Sequence, residues 1–462
     1  MKKLIDKLFN TRVSTSYMFI LFGISALMLA GYFSYAWFTV QGVQQYSVVT
    51  GTLNGAVAIG SNLVTINGSG VITYTPSTDN DTVTITVTNT NDRTVKNSIY
   101  YYNLSDSSIE MGYTSDSPTI PTGEGVSVAA AKSLTYKIKI KGANGKQIKI
   151  GFSMGLSNSN LTLPSGTTAF SLLSDPPATE TLVAKANPED LDYNTATDDQ
   201  KNQMWTFSHE ETEQLGATTD YRYIGANPNN YVKFNDELWR IIGIFDVDDG
   251  TGKVEKRMKI IRNESIGDYA WDSNNVNEWS TATLNTLLNT GTYYTGLTYS
   301  AKEMIDDVKW YLGGTADYNY ASNGLASHWY KYERGTKVYS GRSTNWTGKV
   351  GLIYPSDYGY ATGGGSNENR TSCAAKEMLN WKGSTYRDCI DNDWLFKSES
   401  MWFLTHYVSY YREAFNISYN GYLGYNNASY LGIGVFPTVY LKSTIKVTSG
   451  TGSSTSPFIL SE

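Results

Sequence analysis

The sequence predicts an exported chain in three parts: an N-terminal transmembrane helix, then an all-β sandwich, then an α+β domain. Three observations carry this. An uncharged apolar stretch near the N-terminus is about 22 residues long, enough to span a bilayer core at ~1.5 Å per residue. From about Tyr46 apolar and polar residues alternate with period two. Beyond Tyr221, short strands and a few helices are separated by long loops rich in Tyr, Asn and Gly.

Composition narrows the function. The chain of 462 residues is long enough for several cores, and only 17% of it is charged while 13% is aromatic, with 36 Tyr and 11 Trp. Low charge with abundant Thr, Ser, Asn, Gly and Tyr is the mixture of β-rich extracellular bacterial proteins. A net charge of -6 argues against nucleic acid as a partner, because phosphate binding needs clustered Lys and Arg. Two cysteines, Cys373 and Cys389, are spaced as a plausible disulfide of an exported domain. With His209, His328 and His406 they show none of the paired spacings of a zinc site.

Residues 1–16 form a basic cytoplasmic segment with Lys2, Lys3, Lys7 and Arg12, and residues 17–39 are the transmembrane helix or a long signal peptide. Positive charge on the N-terminal side leaves the rest of the chain outside, as a single-pass membrane protein with an extracellular C-terminus. Ser34-Tyr35-Ala36 also places small residues where a signal peptidase reads, so secretion after cleavage following Ala36 is the alternative.

Residues 46–170 read as the β-sandwich. In Thr82-Val-Thr-Ile-Thr-Val-Thr88, Val83, Ile85 and Val87 share one face. Tyr136, Ile138 and Ile140 alternate with lysines, and Ile148, Ile150 and Phe152 follow after Asn144-Gly145, the signal of a tight hairpin. Residues 171–220 lose the pattern, and Pro176-Pro177, Pro188 and the acidic residues mark a linker. Residues 221–462 form the last domain. It opens on Leu238-Trp-Arg-Ile-Ile-Gly-Ile-Phe245, a strand buried on both faces, preceded by the turn pair Asn235-Asp236. A hairpin follows at residues 246–253, short helices at 281–288 and from a Ser300 capping box through Leu312, and a closing strand at 434–441.

The segments YRYIGANPNNYVKFNDELWRIIG (221–243), VGLIYPSDYGYA (350–361), WFLT (402–405) and GVFPTVYLKS (434–443) resemble an uncharacterised domain of exported proteins from gut Firmicutes. That domain is similar to the C-type-lectin-like fold shared with formylglycine-generating-enzyme-like proteins. Residues 33–39 resemble the export signals of Gram-positive biofilm-fibre and camelysin-like proteins. The C-terminal cysteine pair that holds copper in the formylglycine-generating enzymes and the calcium motifs of sugar-binding lectins are absent from this sequence. The resemblance therefore implies a C-type-lectin-like binding head with no cofactor, no metal and no catalysis.

In such heads the loops before the last strand make the ligand surface, which here holds Tyr407, Tyr410, Tyr411, Tyr419, Tyr422, Tyr425, Asn426, Asn427 and Tyr430. Tyr and Asn supply stiff contact area and adaptable hydrogen bonds at low entropy cost. The expectation is a cell-surface protein that recognises a glycan or protein through these residues and contacts the membrane through residues 17–39. A structural surface or matrix protein that self-associates through its β-domain is the alternative. For an enzyme the candidates are His406 beside Asp391, Asp393 or Glu399, and Glu333 near His328, and no motif places a nucleophile or base among them.

Overall fold

The computed structural model describes residues 46–59, 62–316, 324–382, 384 and 386–462, with side chains omitted at 46–54 and 62–68. Residues 17–39, expected to be the membrane helix, lie outside the described residues. Among those described, no helix is long and apolar enough to cross a membrane. The described chain is mostly β and divides into two compact units between Asp175 and Pro176.

The first unit contains β1 (Tyr46–Ile59), β2 (Asn62–Tyr74), β3 (Asn80–Asn89), β4 (Val95–Tyr102), β5 (Glu110–Tyr113), β6 (Val126–Val128), β7 (Ser133–Lys141), β8 (Ile148–Leu156), β9 (Thr167–Ala169) and β10 (Ser171–Leu172). They are ordered β10-β5-β7-β3-β1-β2-β8-β4-β6, with β9 on β4. The hairpin of β1 and β2 joins two groups of strands that enclose one core: Val83, Ile85, Val87, Tyr136, Ile138 and Ile140 from one, Ile99, Ile148, Ile150 and Phe152 from the other. The alternation in β3 holds, with Val83, Ile85 and Val87 buried. Tyr136 donates its hydroxyl to Asn97 Oδ1 at 3.2 Å and so satisfies both groups inside the core.

One expected hairpin does not form. β7 pairs with β3 and β5, whereas β8 pairs with β2 and β4, so Asn144-Gly145 lies in a crossing connection. Gly142 and Gly145 adopt positive φ there, and their N–H groups donate to Asp79 and Pro76 in the β2–β3 connection at 2.8 and 2.9 Å. Pairing between the two loops supplies the partners that a hairpin ladder would have supplied.

The second unit begins at Pro176, so the expected linker folds into it. Helix α1 (Ala178–Val183) buries Leu182 against the core, and a single turn, α2 (Asp198–Lys201), is capped by Thr197. β11 (Trp205–His209) pairs with β12 (Thr218–Arg222) and buries Trp205. β13 (Tyr231–Phe234) turns through Asn235 and Asp236, both at positive φ, into β14 (Glu237–Asp248). That is the two-residue turn whose twist matches the flanking strands. β14 is the axis of the unit: β15 (Val254–Arg262) pairs along one edge, and β13 followed by β12 along the other. Trp239, Ile241, Ile242, Ile244 and Phe245 are all buried. The loop at 246–253 is a hairpin in which Asp248 Oδ1 accepts from the Gly250 and Gly252 N–H groups.

Beyond β15 come α3 (Thr283–Asn289), α4 (Thr292–Gly296) and α5 (Tyr299–Met304). Helix α5 is capped by Thr298 rather than Ser300 and stops at Ile305, which bridges to Leu441. The expected continuation to Leu312 is instead β16 (Val308–Tyr311), because Val308 and Trp310 are buried on one face by strand alternation. The chain continues through α6 (Ala326–Glu333), β17 (Asn345–Gly348), β18 (Val350–Gly351), α7 (Pro355–Ala361), α8 (Arg370–Ala374) and α9 (Arg387–Asp391). A separate three-stranded antiparallel sheet follows, β19 (Met401–His406), β20 (Glu413–Ile417) and β21 (Leu423–Asn427). Of the expected closing strand only β22 (Thr438–Tyr440) is regular. The sheet is closed by β23 (Lys446–Ser449) and β24 (Phe458–Ser461), the latter parallel to β13.

Cys373 in α8 and Cys389 in α9 form a disulfide with Cα atoms 5.6 Å apart, both buried beside Met378 and Trp381. Two stability effects follow. Ile85→Ala, at a fully buried position, should lower the stability of the first unit by ~2–5 kcal/mol in urea titrations followed by circular dichroism. Reducing the disulfide, whose cysteines are 16 residues apart, should cost the second unit ~3 kcal/mol, and an unchanged midpoint after reduction would contradict this.

Candidate functional site

The tyrosines expected to form one surface divide into three places. Tyr407, at the end of β19, is buried, and its ring stacks on Tyr410 (centroids 5.3 Å apart, planes at 21°) and on Tyr425 (5.4 Å, 17°). It meets Phe415 edge-on at 5.5 Å, and Phe415 meets Trp329 at 4.8 Å, so the stack is rooted in the core. Tyr410 is 57% exposed and Tyr425 39%, which leaves them as the two rings of the stack open to solvent. The loop between β19 and β20 is fixed from below. Asn277 Nδ2 donates to the carbonyls of Tyr407, Tyr410 and Glu413 at 3.1, 2.7 and 2.6 Å.

Tyr411 continues this surface. Arg412 lies over its ring at 4.7 Å, Tyr339 packs at 6.0 Å, and Arg342 both covers Tyr339 and donates to the Tyr411 carbonyl at 3.2 Å. Asn426 and Asn427, opposite Ala414 and Glu413 in the ladder, border the same end of the sheet, with Asn427 exposed. Tyr419 and Tyr422 sit at the other end, around the β20–β21 turn, ~13 Å along a five-residue strand. There Tyr419 is exposed and Tyr422 half-buried under Lys382. Tyr430 lies in the loop after β21 and is exposed beside Leu431. Tyr407 therefore supports the surface from inside it.

The residues considered for catalysis are not gathered. His406 is fully buried, and burial, followed by the Arg342 charge, pushes its pKa down to about 3, so the ring is neutral. Asp393 is buried with Oδ1 accepting from Leu395 N–H, and burial raises its pKa well above the usual carboxylate range. Glu333 and His328 share α6, but Glu333 is bound to Ser356 and Arg334. Among the described residues no group of three or more His, Cys, Asp or Glu could hold a metal ion.

Sequence reasoning missed a cluster of charge at the centre of the second unit. Asp220 and Arg222, two residues apart on β12, both point inward and pair at 2.8 Å. Arg222 Nη1 reaches Asp357 Oδ1 at 3.0 Å, and Asp357 also contacts Lys259 of β15 and accepts the Tyr354 N–H at 2.9 Å, capping α7. Close by, Glu333 accepts the Ser356 N–H at 2.7 Å and pairs with Arg334 at 3.0 Å. Arg334 covers the Tyr330 ring, and His209, 3.0 Å from Asp220, stacks on the same ring at 3.7 Å. The six ionic side chains are each at most 4% exposed.

Burial alone would neutralise these groups, and pairing decides which stay charged. Burial raises the Asp357 carboxyl, but Lys259 and Arg222 outweigh it and hold the group below its ordinary value. Asp220 is likewise held low by Arg222 and His209 against its burial. Lys259 is lowered to about 8 and Glu333 raised to about 7, each chiefly by burial and only partly restored by its neighbours. The available signal was Lys259 inside Arg257-Met-Lys-Ile-Ile-Arg262, a cation within a buried apolar strand that has to find a partner.

Comparison of the chain with protein-family models, with curated proteins and with solved structures found no match.

Arg222→Met should cost ~3–5 kcal/mol, because it leaves Asp220 and Asp357 short of a buried cation, and chemical unfolding of the variant measures it. His406 has a folded pKa near 3 against an ordinary 6.5. The stability from its neutral ring is thus fully present above about 6.5 and is lost as pH falls toward 3. The urea midpoint of His406→Phe should fall less than that of the wild type between those pH values, and parallel curves would refute the assignment.

Proposed function

We propose that the chain is a bacterial cell-surface binding protein. In this reading residues 17–39 anchor it as a single-pass membrane protein, or release it after cleavage following Ala36. The β-sandwich is a spacer, and the second unit is a C-type-lectin-like head that binds a glycan without catalysis. Exposure carries the proposal. Among the described residues of the second unit, six of the ten exposed large apolar or aromatic side chains fall between Tyr410 and Leu431. Stable monomeric surfaces scatter such residues singly, and their concentration in one stretch marks a contact surface.

The geometry favours a sugar ring over a flat apolar partner. Tyr410 and Tyr425 present ring faces held in place by Tyr407 and Asn277, so little rotamer entropy is lost on binding. Asn427 and Arg412, both exposed, supply polar groups at the rim. A pyranose offers the matching combination of an apolar C–H face and peripheral hydroxyls.

Binding of the full chain to a glycan array and to purified bacterial polysaccharides tests this. The double variant Tyr410→Ala, Tyr425→Ala should weaken binding by about tenfold or more, as removal of central aromatic anchors does. Tyr419→Ala, at the far end of the hairpin, should change it little. Equal losses in the two variants would place the ligand elsewhere. The mature N-terminus, read by mass spectrometry, separates the anchored form from the secreted one.

A further inference from the structure

We propose that Lys259 and Asp357 become joined by an intramolecular amide between Lys259 Nζ and Asp357 Cγ, locking β15 to α7 in the core of the second unit. The two side chains touch and are both 0% exposed. They come from positions 98 residues apart. Around Lys259 Nζ lie the rings of Tyr354 (4.4 Å), Tyr440 (5.3 Å), Phe245 and Trp310 (both 5.6 Å), an apolar cage that disfavours the ammonium and brings its pKa down to about 8. A desolvated lysine amine is a nucleophile. Its target is prepared as well: Arg222 Nη1 donates to Asp357 Oδ1 at 3.0 Å and Tyr354 N–H to Oδ2 at 2.9 Å, which polarises the carboxyl group and stabilises the charge of a tetrahedral intermediate.

The condensation needs no other reactant. Nζ attacks Cγ and the C–N bond forms, then the Cγ–Oδ2 bond breaks, and Oδ2 leaves as water with two of the three ammonium protons. Nζ keeps the third proton, and ammonium and carboxylate become a neutral amide. A proton must move from nitrogen to the leaving oxygen, and Glu333 is placed to assist. It is buried, bound to the N–H and hydroxyl of Ser356 next to Asp357 in the chain, and held up to about 7, so both of its forms exist near neutrality. The charges left behind are balanced, Arg222 with Asp220 at 2.8 Å and Arg334 with Glu333 at 3.0 Å. Fixed contact between the reacting groups replaces the activation that amide formation requires in free solution.

The test is the mass of the folded, purified full chain and of its peptides after the disulfide is reduced. The expected result is a branched peptide that joins the segments holding Lys259 and Asp357 and weighs one water less than their sum, with the same deficit in the intact chain. Lys259→Arg should restore the full mass. Glu333→Gln should slow the loss of water about 100-fold in refolded chain. Separate, unmodified Lys259 and Asp357 peptides from the folded wild type would overturn the proposal. So would a bridge that maps to another pair, such as Lys139 and Asp175.

Discussion

Three cations and three carboxylates occupy the water-free centre of the second unit, and the elements that pack around them have to keep those charges matched. Arg222 comes from β12, Lys259 from β15, Glu333 from the end of α6, Arg334 from the residue that caps it, and Asp357 from the first turn of α7. Each charge is tolerable only while its partner stays within reach, because an isolated ion in this medium costs several kcal/mol. Oil-like burial could accept small shifts of these elements. Paired charge cannot, so strand register and helix position are fixed together. Aromatic rings add to this matching. Tyr330, Tyr354 and Phe245 each face a cation at 3.6 to 4.5 Å, filling space while offering the negative side of a π-system.

From this fixed centre the structure reaches the surface through rings. Trp329 lies in the same helix as Tyr330 and Glu333, packs on Phe415, and Phe415 supports Tyr407 beneath the exposed Tyr410 and Tyr425. The loop that presents those rings has no regular structure, yet Asn277 holds three of its carbonyls. Such a loop behaves as part of the scaffold, which is what a preformed recognition surface needs.

How far this was legible in the sequence depends on the range of the interactions. Period-two alternation at Val83, Ile85 and Val87, and the apolar run from Leu238 to Phe245, are local signals, and both strands formed as read. Asn235-Asp236 was legible as a turn for the same reason. Asn144-Gly145 misled because a turn signal says nothing of which strands will pair, and the partners of β7 and β8 come from distant sequence. The linker reading failed at residues 176–220 because its prolines and acids sit among Leu182, Trp205 and Phe207, whose burial needs surfaces contributed much later in the chain. The candidate surface was located by composition, but its division into a stack, a far turn and a following loop depended on β20–β21 pairing. The ion cluster was almost invisible, since Asp220, Lys259, Glu333 and Asp357 meet only in three dimensions.

The parallel pairing of β24 with β13 has a bearing on how the chain reaches its native state. Val232 and Lys233 find their sheet partners in Phe458 and Ile459, close to the last residue. A chain that emerges from its N-terminal end can finish the first unit early. The second unit keeps an open sheet edge beside its most apolar strand until the final residues arrive. That interval is when an unpaired edge is exposed to other chains, so assembly of this unit is governed by the timing of its last strand as much as by its final stability.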